Sequence, residues 1–194
     1  MRIRNGLIYR KLIHLSSTVY PLILYHLPEK YGEILSAILI FVSLSVERLR
    51  VKRVYYRNLF NKFFGRFLKT DEYVGGLTGA TTLLVSSFIC YIFFERNIAL
   101  YSLLLLTISD GLSTIIGVTF GKRKIFGQKT LEGSLVFLIS GLVISLFMPL
   151  PLLLKISGAL IGMVVELFSD YLGDDNFSIP LITGLILTIL RKII

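Results

Sequence analysis

The sequence predicts an all-α fold: a polytopic membrane helix bundle of about seven transmembrane helices plus an amphipathic interfacial helix, in one domain over residues 1–194. Three observations predict it. The 194 residues are 54% hydrophobic and 17% charged, with mean hydropathy +0.76, which is too apolar for a soluble domain of this size. Apolar runs recur at lengths near the ~20 residues that carry a helix across a bilayer. Proline at positions 28, 149 and 151 breaks the runs apart, because proline ends or kinks a helix.

In chain order the runs are Leu7 to Leu27, Tyr31 to Val46, Gly76 to Phe94, Ile98 to Gly117, Ser134 to Met148, Leu152 to Phe168 and Ile179 to Ile194. The second, fifth and seventh are short and suit helices sheltered inside a bundle. Met-Arg-Ile-Arg precedes the first run with no small-residue cleavage site, so a retained first span is expected rather than a cleaved signal. Between the second and third runs, residues 47–73 carry Arg48, Arg50, Lys52, Arg53, Arg57, Lys62, Arg66 and Lys69 among aromatic and aliphatic residues. Apolar positions 56, 59, 60, 63, 64 and 67 follow helical spacing, which predicts an amphipathic helix on the membrane surface. Its cations either anchor the chain to lipid or gather an anionic substrate. No repeat, low-complexity tract or long linker divides the chain.

The net charge of +9 comes from 21 basic and 12 acidic residues. In so apolar a chain this excess reads as positive-inside loops facing anionic membrane lipids, not as a nucleic-acid surface. Fixing the loop 47–75 inside also brings the N-terminus and the loops 118–133 and 169–178 to the cytoplasmic face. Only short connections are left outside, so every polar cluster meets on one side. The single Cys90 excludes a disulfide framework and a zinc spacing, and no Walker, protein-kinase or Rossmann signature is present. Carboxylates, lysines, hydroxyls and two histidines remain as the available chemistry.

Asp110 lies about two turns inside an apolar run, where an ionised carboxylate costs about 3 kcal/mol or more, and is by default a functional candidate. Ser113, Thr114 and Gly117 share its side of the helix. Gly117, Gly121, Gly127 and Gly133 then bound a basic loop containing Lys122, Arg123, Lys124 and Lys129. Thr130 to Ser134 open the next helix, whose N–H groups would point back at that loop. Backbone donors, lysines and a carboxylate are what a metal-bound polyphosphate requires. In this reading Lys129 clamps phosphate, Glu132 serves as metal ligand or base, and Gly133 gives phosphate room; in the plainer one, Thr130 and Glu132 simply cap a helix. Arg10, Lys11 and His14 lie on adjoining faces of the first run, either snorkelling or steering an acceptor hydroxyl. Glu166 and Asp170 lie one turn apart before Gly173-Asp174-Asp175-Asn176, which is either ordinary turn chemistry or a source of metal-ligand oxygens.

These pieces together resemble the polyprenol kinase family, which includes dolichol kinase, phytol kinase and the CTP-dependent diacylglycerol kinases. The matching segments are Arg10-Lys-Leu-Ile-His14, Asp110-Gly-Leu-Ser-x-x-x-Gly117 with Phe120-Gly121-Lys122, Lys129-Thr-Leu-Glu-Gly-Ser134, and Glu166 followed by Asp174-Asp-Asn176-x-x-x-Pro180. They span nearly the whole chain. Ser109 before Asp110 and Thr130 after Lys129 depart mildly from the common pattern. The middle motifs also resemble phosphatidate cytidylyltransferase, whose late signatures have no counterpart here.

The resemblance implies transfer of the terminal phosphate of CTP, with Mg2+, to a membrane isoprenoid alcohol such as dolichol, polyprenol, phytol or geranylgeraniol. Asp110, Lys129 and Glu132 are the expected catalytic residues, and Asp110, Glu132 and Asp175 the expected metal ligands. Nucleotide would be held by Gly117, Gly121, Lys122, Lys124, Lys129, Thr130, Gly133 and Ser134. The acceptor side would comprise Arg10, Lys11, His14, Ser113, Glu166, Asp174 and Asn176. Asp110 is left as either base or metal ligand. A cytidylyltransferase-like enzyme and a small non-enzymatic transporter are the competing readings, though a transporter would spread ionisable groups near the bilayer midplane of several spans.

Overall fold

A computed structural model describes residues 2–194, apart from the side chains of residues 2–6 and of Asp170. The side chain of Asp170, expected one turn from Glu166, and Met1 of the N-terminal segment therefore lie outside the described residues. The structure is all-α with one small hairpin.

The first apolar run is not one helix. Helices α1 (Arg2–Ser16) and α2 (Val19–His26) break at Ser17, whose hydroxyl donates to the His14 carbonyl at 2.5 Å and competes with the helical ladder. After Pro28, α3 (Glu29–Lys52) continues through 24 residues, well past Val46, because nothing in Glu47 to Lys52 breaks a helix. Arg53 is extended, and α4 (Val54–Phe64) follows, with none of its residues buried. A 3-10 turn (Gly65–Phe67) and the short α5 (Thr70–Val74) lead to α6 (Gly79–Phe93).

Helix α7 (Arg96–Phe120) is the centre of the molecule. Ile98 to Leu106 are each at most 4% exposed, as expected of a helix that is hydrophobic all round. Tyr101, Leu105 and Leu106 of α7 pack with Phe137, Leu154, Ile179 and Leu187. The Tyr101 hydroxyl donates to the carbonyls of Gly141 and Lys155, at 3.1 and 2.8 Å, so its polar end is satisfied within the core. Residues Leu105–Asp110 form a π-helical turn within α7.

Strands β1 (Lys124–Phe126) and β2 (Lys129–Thr130) make an antiparallel hairpin. Gly127 turns it at φ +53°, as the first central position of a II′-like turn requires. Then come α8 (Leu131–Leu146), α9 (Leu152–Leu167), the single turn α10 (Ser169–Leu172) and α11 (Asp175–Ile193).

Helices α7 and α11 are long and apolar enough to cross a membrane, while α6 and α8 are apolar but shorter. Outward-facing positions are strongly apolar, with Phe41, Phe93, Leu146, Phe147 and Leu152 between 72% and 74% exposed.

Arg50, expected among the surface cations, is instead 1% exposed. Its guanidinium bonds Glu47 Oε2 through Nε and Nη2, at 2.9 and 2.6 Å, and reaches the carbonyls of Glu72 and Gly76. Glu47 Oε1 in turn accepts from Thr78 N–H, Thr78 Oγ1 and Thr81 Oγ1. This buried, fully paired network fastens the segment 69–79 to α3 and sets the start of α6.

Candidate phosphate-binding site

The π-helical turn carries Asp110 inward. Such a turn inserts a residue into the helical ladder and releases backbone groups. The Leu106 carbonyl is taken up by His14 Nε2 at 3.0 Å, which requires a proton on that nitrogen. His14 Nε2 also lies 3.5 Å from Asp110 Oδ2. Asp110 is wholly buried, and its Oδ2 accepts from Lys11 Nζ at 2.5 Å. Lys11 Nζ also donates to Asp175 Oδ2 at 3.2 Å, joining α1, α7 and the start of α11 through one ammonium.

A second ion pair faces the first. Lys129 Nζ donates to Glu166 Oε1 at 2.6 Å, bringing the hairpin to the C-terminal end of α9. Burial alone would pull the Lys129 pKa down, but the Glu166 carboxylate, with Asp110 and Asp175 beyond it, outweighs that and raises it. The ammonium is therefore fully charged at neutral pH. Ser113 donates to the Asp110 carbonyl at 3.0 Å and lies 3.4 Å from Glu166 Oε1.

These groups surround a cavity of about 210 Å³ lined by Lys11, Ser113, Thr114, Gly117, Lys129, Thr130, Gly133, Ser134, Glu166 and Asp175, with Leu7, Val118 and Gln128 completing the wall. Close approach of α7 and α8 shapes its floor. A Cβ on Gly133 would lie 2.9 Å from the Ser113 carbonyl oxygen, and one on Gly117 would lie 3.0 Å from Thr130 Oγ1. The Ser134 hydroxyl is buried in this wall with no partner, as are Glu166 Oε2 and, behind the wall, Asp110 Oδ1. Buried polar atoms left unpaired are costly, so the two on this wall, Ser134 Oγ and Glu166 Oε2, mark unspent binding capacity.

Several expected residues stand elsewhere. Asp110 does not line the cavity; it lies behind Lys11, which intervenes. Glu132 turns away, and its carboxylate accepts from the Arg123 N–H at 3.4 Å, so it closes the base of the hairpin instead of joining Asp110 and Asp175. The helix N–H groups expected to face a ligand are partly spent: Leu131 N–H bonds the Arg123 carbonyl, and Gly133 N–H bonds Thr130 Oγ1, its N-cap. Lys122 and Lys124 are exposed, and Lys124 Nζ donates to Gln128 Oε1 at 3.1 Å. Gly121 packs on the Gly117 carbonyl and Thr130 and serves the turn. Arg10 is half-buried and outside the lining. Asp174 caps α11 by accepting from Asn176 N–H at 2.9 Å, and Asn176 Nδ2 donates to Thr82 at 3.2 Å. Both tie α11 to α6 and so fix Asp175.

An uncharacterised protein of Rickettsia prowazekii (strain Madrid E), RP860, is 29% identical to this chain over 181 residues, covering 89% of this chain and 88% of its own length. No family model matches the chain, and no solved structure matches it.

Chemically, two ammoniums and unpaired hard oxygens around a small cavity suit a phosphate chain carrying a divalent cation. Among the described residues no three His, Cys, Asp or Glu side chains converge as a complete metal shell. Mg2+ typically takes one or two carboxylates and completes its shell with water and substrate phosphates. Of the two lining carboxylates, Asp175 is the one that would hold it, since Glu166 is engaged by Lys129.

Proposed function

We propose that the protein is a polytopic membrane enzyme that transfers the terminal phosphate of CTP to a lipid alcohol, working from the cytoplasmic face. The observation that carries this reading is the convergence of Lys11, Lys129, Glu166 and Asp175, from four separate stretches of chain, on one cavity. The resemblance of those same stretches to the polyprenol kinases supports the substrate class. The membrane assignment is supported by α7 and α11, by the exposed apolar side chains on α3, α6, α8 and α9, and by α4, a basic and aromatic helix with no residue buried.

Phosphoryl transfer needs in-line positioning and neutralised charge more than covalent chemistry. Lys11 and Lys129 receive the phosphate oxygens, exchanging their cavity-side partners Asp175 and Glu166 for phosphate. Bound magnesium would supply further neutralisation, held by Asp175 at the partly exposed rim. The alcohol oxygen bonds to the terminal phosphorus, the bridging P–O bond breaks, and CDP leaves. The hydroxyl proton passes to Glu166 Oε2, the unpartnered carboxylate oxygen on the wall. Asp110 orients Lys11 and balances its charge from behind.

Incubation of the purified protein with Mg2+, CTP labelled at its terminal phosphate, and geranylgeraniol, phytol, dolichol or diacylglycerol tests this reading. We expect a labelled lipid phosphate with at least one acceptor, and on the order of a hundredfold loss in Glu166→Gln. No labelled lipid with any acceptor overturns the reading. With phosphatidate supplied as acceptor, release of the label as pyrophosphate and formation of CDP-diacylglycerol makes the protein a cytidylyltransferase instead.

A further inference from the structure

The cavity of about 210 Å³ is below the ~300 Å³ at which pockets begin to enclose drug-sized ligands. It has room for the phosphates of a nucleotide but not for the whole nucleotide. What stands at its rim therefore decides how the base is held.

An aromatic cluster stands next to the residues of the cavity wall, built from the hairpin and from the turn that follows α9, although none of its rings lines the cavity itself. Phe126 pairs with Lys129 across the hairpin, and residues opposed in an antiparallel pair project from the same face. The Phe126 ring packs edge-on against Phe168, with centroids 4.7 Å apart, and tilted against Tyr171, at 5.0 Å. Each ring is close in sequence to a group on the cavity wall. Phe126 is two residues from Gln128, Phe168 two from Glu166, and Tyr171 four from Asp175. The cluster is left open, with Phe168 40% and Tyr171 75% exposed.

We propose that Phe126, Phe168 and Tyr171 form a stacking platform for the base of the nucleotide whose phosphates enter the cavity, with Tyr171 offering its open face to the ring. This rests on the kinase reading above and adds the base subsite to it. Stacking fits the chemistry at the rim. A base is held by its π-face wherever an aromatic side chain is exposed beside a basic phosphate site, without a dedicated hydrogen-bonding pocket. Phe126 and Phe168 pack as a wedge that fixes the height of the hairpin over Glu166. The platform and the Lys129–Glu166 pair are thus held in one unit.

Calorimetric titration of the full chain in detergent with Mg-CTP and, separately, with Mg-tripolyphosphate tests the proposal. We expect CTP to bind more tightly than tripolyphosphate. Tyr171→Ala should remove on the order of tenfold of the CTP affinity, leave tripolyphosphate binding unchanged, and be rescued in Tyr171→Trp. Because Tyr171 is exposed, its removal opens no core cavity, and the retained tripolyphosphate affinity reports an intact site. Equal affinity for the two ligands in the unaltered protein, or unchanged CTP affinity in Tyr171→Ala, overturns the platform while leaving the phosphate site standing. Failure of both ligands to bind overturns the platform and the kinase reading together.

Discussion

Lys11 is the residue on which the site turns. Its ammonium meets carboxylates 99 and 164 residues away in sequence, and among the described residues Asp110 is otherwise approached only by His14 Nε2, at 3.5 Å. Removing one member of a buried ion pair strands the other, which typically costs ~3–5 kcal/mol, whereas removing both together costs much less. Lys11→Met should therefore lower the unfolding temperature in detergent markedly, and Lys11→Met combined with Asp110→Asn should recover most of the loss. Additive losses in this cycle would show that the pair does not act as a unit. At this scale the sequence was informative about identity and silent about partners. Asp110 and Glu166 are legible because ionisable groups within apolar runs are expensive, and Lys129 because it directly precedes the Thr130-Leu-Glu-Gly-Ser134 helix start. That Lys11 lies between Asp110 and Asp175 depends on helix packing that no local spacing encodes. Glu132 misled for a physical reason: an acid in the first turn of a helix is equally suited to a metal and to a capped end, and here its carboxylate bonds a neighbouring backbone N–H.

At the scale of elements, the junction of α7 with α8 positions the hairpin, and its glycines make that approach possible. A methyl group on Gly133 would meet the Ser113 carbonyl at 2.9 Å, the Thr130 hydroxyl at 3.2 Å and the Gly117 Cα at 3.4 Å, most of them backbone or capping atoms that cannot swing aside. Gly133→Ala should thus separate the two helices and cost ~1–3 kcal/mol, the usual penalty of overpacking. The same change should weaken tripolyphosphate binding, since Gly133 lines the cavity. Normal stability and normal binding in this variant would remove the close crossing from the account. The glycines and the hairpin lysines were legible in the sequence as a small-residue loop. The π-helical turn at Leu105–Asp110 was not, because its residues fit an ordinary helix and only the demand of His14 for the Leu106 carbonyl reveals it. The break at Ser17 was equally hidden, since the apolar pattern runs on across it.

For the whole molecule, the number of membrane crossings follows from hydropathy only where helices are long. Helix α8 is the sharpest case: 16 residues rise about 24 Å, short of the ~30 Å hydrocarbon layer, yet it separates the basic hairpin from the Met148-Pro-Leu-Pro151 corner. If the cytoplasmic assignment of the hairpin holds, this helix must cross, with its deficit met by local bilayer thinning or by the apolar residues flanking Pro149. Cysteine labelling decides it cleanly, because the chain has one cysteine and Cys90 is fully buried. Single substitutions Lys124→Cys and Pro149→Cys, at exposed positions on either end of α8, should react with a membrane-impermeant maleimide from opposite sides of sealed vesicles. The hairpin position should react only from the cytoplasmic side, where CTP is found. Reaction of both from one side would make α8 a re-entrant or surface helix, and the site would then need a different membrane face or a different substrate.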